Sequence, residues 1–189
     1  MKGYDLEMFL ENIHANKTKA RDLKVNKAII MAANRASSFF IFITFSGAFL
    51  FSILALPNAV AYMRPEWVAM IVVYWVIKSP AKVGVVVAWL SGLVLDILEG
   101  NLLGVNALSL AVVAYLVLTM HQRIKLFPLI QQSFTVFLVV GIHLMIGHFI
   151  RNVVDDPVSG MTYLIPALSS AIIWPVFSLL VDKVALKLR

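Results

Sequence analysis

Six apolar stretches follow a polar opening segment, and together they set the expected architecture. They lie at about residues 38–56, 65–79, 83–98, 102–120, 129–150 and 161–181. Pro57 stops the first, and Arg64-Pro65-Glu66 and Lys78-Ser79-Pro80 bracket the second. Asp96 falls inside the third, His143 and His148 inside the fifth, and Pro166 and Pro175 interrupt the last. A helix needs about 20 apolar residues to cross a bilayer. The first, fourth, fifth and sixth stretches reach that length. The second and third reach roughly 22 and 24 Å, so a re-entrant pair is an alternative for them.

The basic residues choose between those options. With the N-terminus inside and six spans, 14 of the 16 Lys and Arg residues fall on the inner side. Only Arg64 and Arg151 fall outside. Every short loop then obeys the positive-inside rule. A re-entrant hairpin would instead bury Lys78 and Lys82 at its tip. The expectation is therefore an all-α membrane protein with six transmembrane helices, N-in and C-in. Residues 1–37 form a cytoplasmic segment, 38–182 the six-helix domain and 183–189 a basic cytoplasmic tail.

Composition supports this. The chain of 189 residues is 61% hydrophobic and 14% charged, against about 25% charged in soluble domains. It has no cysteine, which excludes disulfides, thiolate metal sites and a cysteine nucleophile. No basic patch alternates with aromatics on a soluble face, so nucleic acid is not an expected partner. Residues 1–37 are polar and mixed in charge, unlike a cleavable signal peptide. Within them Leu6, Phe9, Leu10 and Ile13 recur at helical spacing. They predict either a short amphipathic helix, at the membrane surface or against a partner, or a frayed tail.

Asp96 is the most costly residue in this pattern, since a carboxylate at the centre of a bilayer costs about 2.5–3.5 kcal/mol. Gly92, Asp96 and Gly100 are spaced i, i+4, i+8 and share one helix stripe. Glycine there lets another backbone approach. The turn from Gly100 to Gly104 brings the next helix N-terminus alongside, with unpaired amides and partial positive charge. Asp96 is thus expected either to accept those amides or to contact a partner or ligand.

Other chemistry is less well supported. No nucleophile-elbow pattern surrounds Ser91, so it reads as a packing residue, and no enzyme activity is expected. His143 and His148 are five apart, not the four that puts two ligands on one helix face. A neutral histidine bonded to a neighbouring helix is the expected state, and no metal or other cofactor is expected. Asp96, Glu99 and His148 crowd toward the outer end, so no proton relay crosses the membrane. An outward pocket lined by Asn58, Asp96, Asn101, Asn106 and His148 remains an alternative. It would make the chain a small-solute-binding transporter subunit.

Several motifs in order resemble the MreD family of bacterial rod-shape-determining membrane proteins. They are Arg64-Pro65-Glu66-Trp67, Tyr74-Trp75, the block from Gly92 through Asp96, Gly100 and Gly104 to Leu108, and Ala114-Tyr115-Leu116-Val117. Gln131-Gln132 and Trp174-Pro175-x-Phe177, running on to Lys183-Val184, complete the set. The resemblance covers about residues 38–187. It implies a non-enzymatic inner-membrane role in the complex that builds the lateral cell wall. Implied partners are the single-span MreC and, through the complex, RodA, the elongation transpeptidase, MreB and RodZ. The six-helix unit more distantly resembles the substrate-binding subunits of energy-coupling-factor transporters. Two departures stand out: the 37-residue extension is long for the family, and Asn106 stands where a relative has arginine, so no basic contact is carried over there.

The resemblance and the pattern together imply function by docking, among membrane lipid and with self-association open. Small-residue stripes including Gly92, Gly100 and Gly104 would pack the helices. A groove elsewhere would accept the partner's span, and the loops near Arg64-Pro65 and residues 99–101 would orient its external domain. Asn106, Trp174 and Pro175 complete the candidate residues.

Overall fold

The computed structural model describes residues 38–54, 63–154 and 161–187. The segment with Leu6 to Ile13, and the pocket candidate Asn58, lie outside the described residues. Six apolar helices appear at the six expected stretches, with no strand among the described residues. They are α1 (Ser38–Ile53), α2 (Trp67–Lys78), α3 (Val85–Glu99), α4 (Val105–Ile124), α5 (Leu129–Val154) and α6 (Ile165–Lys187). A 3₁₀ turn, Met161–Leu164, leads into α6. By length and composition, α4, α5 and α6 are long and apolar enough to cross a membrane.

The short helix α2 is the centre of the bundle. Its residues Val68 to Ile77 are all buried, and α3, α4, α5 and α6 all pack on it. From α1, Phe40 stacks edge-on against Trp75 at 5.7 Å, and the Trp75 indole donates to Thr44 Oγ1 at 2.9 Å. A helix apolar on every side suits a protein core or a lipid environment alike, and here the neighbouring helices cover it. Its 12 residues rise roughly 18 Å, so α2 is shorter than the stretch expected from sequence. The other helices divide their apolar residues between this core and the outside. On α3, for instance, Ala88, Ser91, Gly92, Leu95 and Asp96 are buried, while Val86, Leu90, Val94 and Ile97 are exposed.

Polar side chains fix both ends of α2. At its start, the Glu66 amide donates to Ser170 Oγ of α6 at 3.0 Å. At its end, Asp182 of α6 accepts from the Tyr74 hydroxyl at 2.6 Å and from Lys78 Nζ at 2.9 Å. Gln132 of α5 secures the α4–α5 turn. Its Nε2 donates to the carbonyls of Ile124 and Phe127, and its Oε1 accepts from the Trp174 indole at 3.4 Å.

Candidate functional site

Asp96 leaves α3 one turn before that helix ends, and its carboxylate is fully buried. Oδ2 accepts the Gly104 amide at 2.8 Å and the Ala107 amide at 3.3 Å, and Oδ1 accepts the Asn106 amide at 2.9 Å. These N–H groups open α4, where no intrahelical acceptor exists for them. A helix normally draws such a cap from the Ser, Thr, Asp or Asn at its own N-cap position. Here the N-cap is Gly104, which has no side chain to offer. The preceding helix supplies the cap instead. The negative charge also meets the positive end of the α4 dipole. Of the two roles open to Asp96 from sequence, its observed contacts are the structural one.

The main chain of Asp96 finishes α3 at the same point. Its carbonyl accepts the amides of Gly100 and Asn101, closing the helix with a left-handed Gly100 at φ 68°. One residue therefore ends one helix and begins the next.

The three glycines of the block do different work. A Cβ on Gly92 would stand 2.4 Å from Ala107 Cα, 2.5 Å from Ala107 N and 2.6 Å from Asn106 O. Backbone meets backbone there, as the stripe argument expected. Gly100 and Gly104 differ: nothing lies within 4 Å of a Cβ built on either. They are not packing residues, and the expectation that they let helices approach is corrected. Their positive φ values, 68° and 105°, are what glycine supplies. Gly104→Ala should therefore destabilise the fold through backbone strain of about 1–3 kcal/mol. A melting temperature equal to wild type would contradict this.

Around this junction several of the remaining candidates converge. Arg64 donates to Glu99 Oε1 at 2.9 Å. Glu99 Oε2 accepts from Asn101 Nδ2 at 2.9 Å and Asn106 Nδ2 at 3.4 Å. Pro65 is buried beside them, and its carbonyl accepts the Trp67 amide at 3.0 Å. Arg64, Pro65, Gly92, Asp96, Gly100, Gly104 and Asn106 thus gather at one end of the bundle. Trp174 and Pro175 do not join them. They lie on α6 toward the opposite end, where Trp174 is buried against Gln132.

Two features escaped the sequence reading. Glu99 is the hub of the polar cluster with Arg64, Asn101 and Asn106. The Tyr74–Asp182–Lys78 latch joins residues more than 100 positions apart. Its one local signal is the four-residue step from Tyr74 to Lys78, which puts both on one helix face. The histidines also differ from expectation. His143 is buried, and its Nδ1 has no hydrogen-bond partner among the described residues. His148 stacks on Tyr163 at 4.2 Å and lies 3.0 Å from Asn152 Nδ2. No group of three or more metal-ligating side chains occurs among the described residues.

The sequence profile of the family described as "rod shape-determining protein MreD" matches residues 33–184. The chain belongs to the MreD family. It is also 27% identical over 142 residues to the rod shape-determining protein MreD of Haemophilus influenzae, covering 75% of this chain and 88% of that relative. No solved structure matches the chain. MreD membership gives the chain a role in rod shape determination, and with its apolar helices makes it a membrane protein. The region matched to MreD takes in every candidate residue from Arg64 to Pro175 and leaves residues 1–32 outside.

Proposed function

We propose that this chain is a non-enzymatic scaffold of the cell-wall elongation complex in the bacterial inner membrane, and that it acts by binding the single span of MreC. All six helices cross the membrane in this reading, with both termini inside. The Arg64–Glu99 end then faces outward. RodA, the elongation transpeptidase, MreB and RodZ are reached through the complex. The alternative of a solute-binding transporter subunit is set aside in this reading, because the Asp96 carboxylate is taken up by the amides that open α4 and the Asn106 side chain donates to Glu99.

The observation that carries the proposal is the outer face of α3. Val86, Leu90, Val94 and Ile97 form an exposed apolar stripe at helical spacing. That stripe runs up to Glu99 and its partner Arg64. A partner's span laid along it would emerge beside the polar cluster, which could then orient the external domain.

The test is charge reversal at Arg64 and Glu99. A partly exposed ion pair contributes only about 0.2–1 kcal/mol to stability, and Glu99→Lys also removes the acceptor of Asn101 and Asn106, so it should stay folded and melt a few degrees lower, on the order of 2–4 °C per kcal/mol. Recovery of MreC with the purified chain should nonetheless fall, and Arg64→Glu combined with Glu99→Arg should restore part of it. Unchanged recovery in Glu99→Lys would overturn the proposed outer contact.

A further inference from the structure

At the end of the bundle away from Asp96, three helices and the α4–α5 turn enclose a second polar site. Tyr74, Lys78, Lys125, Gln132, Trp174 and Asp182 line a cavity of about 70 Å³. Pockets for ordinary small molecules run to about 300–1,000 Å³, so a solute of that class does not fit. One water needs about 10–15 Å³ of such space, so the cavity holds a few waters or one small polar group.

The lining specifies the charge of that group. Most of its polar atoms are already engaged. The Tyr74 hydroxyl and Lys78 Nζ both donate to Asp182. Both amide atoms of Gln132 are bonded, one of them to the Trp174 indole. Lys78 offsets the charge of Asp182. Lys125 is the lining cation that makes no ion pair among the described residues. Among the described residues the site therefore carries one uncompensated positive charge, and an anion complements it.

The surroundings specify what carries the anion. Leu126 and Ile130 flank the cavity at 86% and 84% exposure. Both sit next to lining residues, Lys125 and Leu129. A soluble anion would leave these two side chains in water. An acyl chain would cover them. We propose that the cavity seats the phosphate head of an anionic phospholipid of the inner leaflet, with Lys125 as its main cation and Leu126 and Ile130 against its tails. This rests on the membrane orientation proposed above but not on MreC docking, so the purified chain alone can test it.

The experiment is native mass spectrometry of the full chain, presented with equal amounts of phosphatidylglycerol and phosphatidylcholine. Wild type should retain phosphatidylglycerol in preference. Lys125→Gln should lower that retention about fivefold, the effect of one basic residue at a membrane surface, and leave phosphatidylcholine unchanged. Arg123→Gln removes a charge from an exposed neighbour that does not line the cavity, and should leave the preference intact. Lys125 is exposed, so the melting temperature of its variant should match wild type. Three results would overturn the site: no preference in wild type, equal losses in the Lys125 and Arg123 variants, or displacement of the lipid by millimolar inorganic phosphate.

Discussion

Asp96→Ala is expected to be the most damaging single substitution in the chain. It removes the acceptor of three amides at the start of α4, those of Gly104, Asn106 and Ala107. A buried donor left unpaired costs about 1–3 kcal/mol. Relaxation and water entry at the helix end recover part of that, leaving on the order of 3–6 kcal/mol. Total stabilities are typically about 5–15 kcal/mol, so much of the margin disappears. Asp96→Asn should fall between, because it keeps one acceptor oxygen but places an NH₂ group against an amide donor. Thermal unfolding in detergent checks both. A loss of about 2–4 °C per kcal/mol applies at this chain length, so the alanine variant should melt on the order of 10 °C lower. Melting within a degree of wild type would show that Asp96 is not what caps α4.

Gly92→Ala is expected to rank next, although it adds a single methyl group. That methyl would stand 2.4 Å from Ala107 Cα, against main chain and not against a side chain that can swing aside. The helices must therefore separate. Overpacking of this kind costs about 1–3 kcal/mol, and a rigid neighbour puts it at the upper end. The neighbours are also the residues whose amides Asp96 holds, Asn106 and Ala107. Pushing α4 away stretches those hydrogen bonds, so the two sites share one mechanism. The combined variant should lose less stability than the single losses added together. Strict additivity in melting experiments would separate the close contact from the cap. In cells, either variant should give rounded cells as the bundle fails.

The block of residues 92–104 was legible because its parts lie within one local stretch. Spacing put Gly92 and Asp96 on one face, and the glycine turn brought a helix N-terminus to the carboxylate. The separate tasks of the glycines were not legible. A glycine needed for positive φ and one needed for a close contact look the same in sequence. Gly92 proved to be the contact, and Gly100 and Gly104 the turn. The central position of α2 was also hidden. Its uniform hydropathy fits either lipid or protein surroundings, and only long-range packing decides between them. The role of Asp182 was hidden too, because its partners, Tyr74 and Lys78, come from a helix over 100 residues earlier.

In the function proposed above these effects have one meaning: the buried chemistry of the chain builds a surface, and the surface binds. Photocrosslinking in cells tests that claim most directly. A photoreactive residue placed at Val86, Leu90, Val94 or Ile97 of α3 should capture MreC. The same residue at Ile130, Phe134 or Leu138, exposed on α5, should not. Capture of MreC from the α5 positions with the α3 stripe silent would contradict the account.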